Sequence, residues 1–399
     1  MRINDSFAPE REPFRYDDRL DLQSATGPLS TLRPTQARFQ YHNLDAQEKA
    51  PSNFAFKWSS RDNRKGRHTL VVTPSHDPVP SPTSSLRRIL KNIAKMFLYY
   101  PVWDISWWVA YIFTWGSIIW VINAFFSLLP FVAPSTTFPT EVLYGGGITA
   151  FIGATVFEIG SVLLMFEAVN ENRAACFGWA VESLIHGSDD QPSLSVRPAK
   201  EECRHHHANK HNFVGKPQAS ASANTSASTS LPTATSNSAR SWTWFPSAAE
   251  LRSHYVHDLG FLACTSQLLG ATIFWIAGFT ALPGINNVLS PAALDGAYWF
   301  PQVLGGCGFI VSGVLFMLET QKRWYIPAWG VLGWHIGLWN LIGGVGFTIC
   351  PCFGFDTSHW SQYQAACSTF WGSWAFLIGS AVQLYESLEK NPVEIEKHD

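Results

Sequence analysis

The chain lacks positive charge over nearly half its length: all 28 Lys and Arg fall in residues 1 to 100, 167 to 256, 319 to 323 and 390 to 399. Its averages, 46% hydrophobic residues and a formal net charge of -2 over 399 residues, would suit a soluble protein of two or three domains. The segregation excludes that reading and points to a membrane. Seven Cys are too few and too scattered for a disulfide scaffold. No nucleophile elbow, phosphate loop or zincin motif is present, so no enzyme is expected. The near-neutral charge gives no reason to expect a nucleic-acid partner. A secretory signal is missing too, because the first 95 residues are polar, Pro-containing and charged.

What is present is six apolar stretches, approximately 105 to 129, 144 to 166, 259 to 282, 299 to 318, 327 to 349 and 368 to 385. Each can cross roughly 30 Å of hydrocarbon at about 1.5 Å per residue. The loops 130 to 145, 283 to 298 and 351 to 366 carry no Lys or Arg, whereas Arg87, Arg88, Lys91 and Lys95 precede the first span and Lys322 and Arg323 follow the fourth. The positive-inside bias therefore places both termini and the central loop in the cytosol, with plasma membrane and endomembrane (vacuole or ER) both open. Sugar on the sequon at Asn4 or at Asn224 would reverse that topology. Cys352 and Cys367, flanking the third outer loop, are candidates for a disulfide; the alternative is three free thiols with Cys350.

Spans two, four and six share the pattern G-x3-F-x2-[GS]-[GS]-x5-E. It reads Gly153, Phe157, Gly160, Ser161, Glu167; then Gly305, Phe309, Ser312, Gly313, Glu319; then Gly372, Phe376, Gly379, Ser380, Glu386. Each preceding span ends in F-x3-P, at Phe126 and Pro130, Phe279 and Pro283, and Phe347 and Pro351. The natural reading is one helical hairpin repeated three times, its small residues forming a packing seam on one helix face. The carboxylates Glu167, Glu319 and Glu386 fall at the cytosolic ends. They are expected as interfacial anchors near Arg173, Arg323 and Lys390, or as a ring at a cytosolic mouth that attracts cations.

Glu158 and His335 are ionisable residues within spans, with Asn123, Gln267 and Asn340 as further polar candidates. They could form a proton-sensitive site or serve helix association. Trp103, Trp107, Trp108, Trp324, Trp329, Trp360 and Trp371 read as interfacial belts. In the central loop, Cys203, His205, His206, His207 and His211 could hold a labile Zn or Cu ion or form a solvated basic tract. Residues 84 to 97 alternate an apolar helical face with Arg and Lys, an interfacial helix drawn to anionic lipid. Ser247 and Glu250 have capping-box spacing, and residues 188 to 240 are low-complexity.

The segments RWYIPAWGVLGWHIGLWNLIGGVGF (323 to 347) and FWGSWAFLIGSAVQLYESLE (370 to 389) resemble a group of uncharacterised fungal multi-pass integral membrane proteins. The GS-containing hairpin more faintly resembles the small bacterial YrhK-type membrane domain. The likeness spans about half the chain, from span two to span six, and implies no active site. The expected fold is all-α and polytopic. A disordered arm (1 to 83) and an interfacial helix (84 to 100) lead into hairpin one (101 to 168). A largely disordered loop (169 to 256), hairpin two (257 to 320), hairpin three (321 to 389) and a tail (390 to 399) follow. Two functions fit: a proton-coupled transporter or channel for a small solute or ion, or a membrane scaffold or sensor acting through its cytosolic segments.

Overall fold

The structure is a computed structural model describing residues 20–41, 54–67, 69–72, 82–171, 173–177, 242–390 and 392–395. Six helices are long and apolar enough to cross a membrane: α3 (Ile105–Val132), α4 (Gly147–Val169), α5 (Leu259–Thr280), α6 (Phe300–Thr320), α7 (Leu332–Gly354) and α8 (His359–Ser387). Each packs on its neighbours in the chain, and α8 closes on α3, so the six form a ring. Their outward faces are apolar, as lipid requires: Trp115, Ile152, Leu269, Val311 and Ile378 are all exposed.

A helix in a ring has two neighbours, and this explains the paired small residues of the even spans. Gly160 lies against the Phe113 ring of α3 and Gly379 against Trp339 and Asn340 of α7, each within its own hairpin. The next position faces the following helix: Ser380 Oγ lies 3.2 Å from Ser117 Oγ on α3, and Gly313 meets the Leu341 backbone of α7. The expected single seam is thus two. A Cβ on Gly379 would already stand 3.2 Å from Trp339 Cβ, so Gly379→Leu is expected to cost at least about 1–3 kcal/mol through overpacking. Its yield of monodisperse protein should fall below that of Gly296→Ala, which faces open space; equal yields would contradict the close approach.

The part of the arm expected to be disordered that is described here is folded. Strands β1 (Leu20–Thr26), β2 (Gln36–Tyr41), β3 (Phe54–Ser59) and β4 (Thr69–Val72) form an antiparallel sheet in chain order. The tail is not free either, since β5 (Val393–Ile395) adds parallel to β4. Hydrogen bonds tie the sheet to the bundle. The Arg33 amide donates to the His257 carbonyl at 3.0 Å and Gln36 Nε2 to the Thr320 carbonyl at 2.7 Å. Between β3 and β4 the hairpin carries a short helix, α1 (Ser60–Arg64), capped by Ser59 and turned back at Gly66, whose φ of 60° suits glycine.

The helix expected over residues 84 to 97 forms as α2 (Leu86–Leu98). The capping box also forms, Glu250 N donating to Ser247 Oγ at 3.2 Å, but it opens only the single turn Ala248–Ser253, not a helix running into α5. Asn170 ties the described flanks of the central loop together, giving and receiving a hydrogen bond with the Thr243 backbone at 2.8 and 2.7 Å.

Candidate functional site

The sheet end of the bundle is where chemistry concentrates. Helices α4, α6 and α8 finish there, and their terminal turns carry Glu167, Glu319 and Glu386, the last residues of the shared pattern. Carboxylates at helix C-termini oppose the helix dipole, and these three are buried, at 0, 0 and 2% exposure. Bare, they would be costly. Arg61, Arg64 and Lys65 stand at i, i+3 and i+4 on α1 and its cap, so one helical face aims three cations into the ring.

Arg64 and Arg61 each hydrogen-bond a carboxylate of one hairpin, and Lys65 lies between the carboxylates of two without a hydrogen bond to either. Arg64 grips Glu319 with both terminal guanidinium nitrogens, at 2.6 and 2.9 Å, over the Phe316 ring. Arg61 NH2 donates to Glu386 Oε2 at 2.8 Å, and Arg67 NH1 lies 3.0 Å from Glu386 Oε1. Lys65 Nζ is 3.7 Å from both Glu167 and Glu386, and Arg64 Nε is 3.7 Å from Glu167. With Asp62 on Arg67 at 2.9 Å, four cations meet four carboxylates. The opposite wall of each socket is a small residue two positions after a helix N-cap, Ser106 on α3, Gly260 on α5 and Gly333 on α7. A Cβ on Gly260 would collide with the Arg64 guanidinium, and one on Gly333 with Arg61. Ser106 Oγ donates to the Lys65 carbonyl at 3.5 Å. We call this plug of the sheet in the bundle the latch.

Burial disfavours charge on all three cations. At Arg61 the Glu386 and Glu319 carboxylates together outweigh it, as Glu319 with Cys264 and Glu167 does at Arg64, and both guanidinium groups are held above their usual range. At Lys65 burial wins over Glu167, and the ammonium pKa is lowered. The pairings expected within the helix ends do not form, because the latch takes the carboxylates. Lys390 Nζ instead bonds Asp104 at 2.7 Å and the Lys65 carbonyl at 2.8 Å, and Arg323 donates to the Tyr325 hydroxyl at 2.8 Å.

Asp258 borders the latch and caps α5, accepting from the Phe261 amide at 2.7 Å. Burial, then the carboxylates of Glu171 and Glu319, push its carboxyl up to about 7 against the opposing pull of Arg64. Between about pH 4 and 7 the folded state therefore keeps a proton that the unfolded chain has released. The stability this contributes is complete below about pH 4 and is lost as pH rises through about 7. Asparagine caps equally well and does not titrate. Thermal unfolding of Asp258→Asn should thus vary less between about pH 5 and 8 than that of the wild type; an unchanged slope would remove Asp258 as its source.

Farther in, the bundle is filled by two triangles of rings. The pattern residues Phe157, Phe309 and Phe376 have centroids 5.5 to 6.5 Å apart. Trp120, Phe274 and Phe347 from the odd helices form the second triangle at 4.8 to 5.7 Å. All six are buried, and a cavity of about 10 Å³ is walled by five of them, all but Phe376, with Ala154 and Ala271. The odd-helix rings share a register: 16 residues after the N-caps Asp104, Asp258 and Val331, with Gly116, Gly270 and Gly343 at 12. Every one of the six helices therefore carries G-x3-[FW]. Gly153, Gly305 and Gly372 make room for Trp120, Phe274 and Phe347 in turn. The matched prolines mark nothing common, since Pro130 and Pro351 lie inside helices and Pro283 beyond one.

The intramembrane candidates do not converge. Glu158 Oε1 accepts from Thr272 Oγ1 at 2.9 Å on the seam of α4 and α5, and the His335 ring meets the Trp329 carbonyl at 2.8 Å near the start of α7. Asn123 Nδ2 donates to the Gly146 carbonyl at 2.7 Å, Asn340 Nδ2 to the Ile336 carbonyl at 2.8 Å, and Gln267 is buried. Cys352 and Cys367 are both free thiols in this structure. The α7 cysteine facing α8 is Cys350, whose sulfur accepts from Thr369 Oγ1 at 3.0 Å, while Cys352, about 200° further round the helix, is exposed. Cys203, His205, His206, His207 and His211 lie outside the described residues. Among the described residues no group of three His, Cys, Asp or Glu is placed to hold a metal ion. No protein-family model, curated protein or solved structure matches the chain.

Arg61, Arg64, Lys65 and Arg67 were absent from the sequence-based candidates. Their signal is a cationic i, i+3, i+4 set between a capping Ser59 and Gly66.

Proposed function

We propose that the protein is a non-catalytic, multi-pass membrane scaffold of three related hairpins, which holds a cytosolic sheet rigidly against a sealed bundle. The observation that carries this reading is the double triangle of rings, five of which wall a cavity of about 10 Å³. That is room for about one water, and an apolar cavity of this size stays dry. Proton coupling between Glu158 and His335 would need both in one wet space, and each has a separate partner. The hairpin reading is supported by the shared register of Trp120, Phe274 and Phe347 and by the three matched sockets.

The sheet is the part offered to partners, and the latch fixes its orientation. Both ends of the described chain meet in this sheet, which accords with a common side for the termini. Wild-type protein reconstituted in liposomes should conduct K⁺ and H⁺ no faster than empty vesicles at any pH from about 5 to 8, the range in which a histidine titrates. Protein-dependent flux would overturn the sealed scaffold and favour the transport reading.

A further inference from the structure

We infer that α2 binds anionic headgroups of the adjacent leaflet through Arg87 and Lys91, and that Glu389 couples this contact to the latch. At about 100° per residue the helix divides into three stripes. Arg88, Asn92 and Met96 face the protein: Arg88 NH2 and Asn92 Nδ2 donate to the two oxygens of Glu389 at 3.2 and 2.8 Å, and Met96 packs on the cluster of Trp107, Ala110, Leu384 and Leu388. Leu86, Leu90, Ile93 and Phe97 form a stripe turned away, at 72, 58, 43 and 69% exposure. Arg87 and Lys91 flank it, exposed and without an ion pair among the described residues.

The occupant of that stripe follows from its position and charge. Six residues after α2 ends, Asp104 caps α3, and the connection exposes Tyr99, Tyr100 and Val102. The stripe therefore borders the region where the first span enters lipid. The helix has no acidic residue, so beside an apolar stripe its free cations suit an anionic lipid surface. Glu389 supplies the link to the latch. While its carboxylate holds α2, its backbone carbonyl accepts from Arg67 Nε at 2.9 Å, and Arg67 in turn lies 3.0 Å from Glu386. One residue is thus shared by the helix on the leaflet and the third socket.

The test is hydrogen exchange on the full-length protein in nanodiscs of phosphatidylcholine, with and without phosphatidylserine. With phosphatidylserine, amides of residues 89 to 98 should exchange at least about fivefold more slowly, the effect of one basic residue at an anionic surface. Amides of residues 61 to 67 should slow with them. Arg87→Gln with Lys91→Gln, which touch neither Glu389 nor the latch, should abolish both effects. Glu389→Gln should keep the first and weaken the second. Exchange in α2 that ignores lipid charge, as docking on a protein partner would give, overturns the lipid contact. A response in α2 with none at 61 to 67 overturns the coupling. The inference uses the membrane placement proposed above but not the sealed centre: ion flux would leave it standing, and a charge-insensitive α2 would leave the seal standing.

Discussion

Glu319→Ala should lower the stability of the folded protein by about 3 to 5 kcal/mol, the usual cost of stripping one partner from a buried ion pair. The carboxylate is fully buried, and Arg64, with both terminal guanidinium nitrogens committed to it, would face a socket walled by Gly260 and Phe316. The Ser60 hydroxyl, 3.0 Å from Glu319, would lose its acceptor as well. Arg64→Met should do comparable damage by exposing Glu319 and half of the Glu167 environment to desolvation without compensation. Combining the two should cost clearly less than their sum, because the double variant removes both charges from the dry site. Thermal unfolding in detergent of the four proteins reads the coupling directly. Strict additivity would mean that the two side chains do not meet.

Trp120→Ala should cost a similar amount, about 3 to 5 kcal/mol, for a different reason. Trp120 is the largest ring in the central prism and touches Phe157, Phe274 and Phe347, so its removal leaves a void that three helices must collapse to fill. Gly153 is already fitted to the indole and offers no side chain to take its place. Trp120→Phe should recover most of the loss, since Phe274 and Phe347 occupy the matching positions on the other odd helices. Trp115→Ala on the same helix is the control. Trp115 is 49% exposed, and its removal should shift unfolding far less. If the two alanine variants unfold alike, the rings are not the core.

The membrane helices were legible because their requirement is local: a run of apolar residues free of Lys and Arg announces itself within one window. The shared Gly, Phe, small pair and Glu of the even helices were legible for the same reason. Their counterparts on the odd helices were hidden by Trp120 standing where Phe274 and Phe347 stand, and by prolines that suggested a different alignment. The latch was harder. In SRDNRKGR, neighbouring cations on one helical face repel each other in isolation, and the sequence shows only a solvated charge run. The carboxylates that overcome this repulsion at Arg64 and Arg61 lie 255 and 325 residues away. Strands such as β2 and β3 were missed likewise, because each pairs along its length with strands elsewhere in the chain, a partnership that no single window of sequence displays. Glu158 drew attention as the lone acid within a span. The repeated acids, which looked architectural, hold the two halves of the molecule together.

The separation between the latch and its last socket also sets an order of events during biosynthesis. Arg61 leaves the ribosome 325 residues ahead of Glu386. At about 5 to 20 residues per second that is a wait of roughly 16 to 65 s. Throughout it α1 has the carboxylates of at most two hairpins to answer its charge. Strand β5, which closes the sheet beside β4, arrives later still. The sheet can therefore seat only after the sixth helix has been inserted, so a nascent chain stalled before residue 386 would display an unmatched cationic turn.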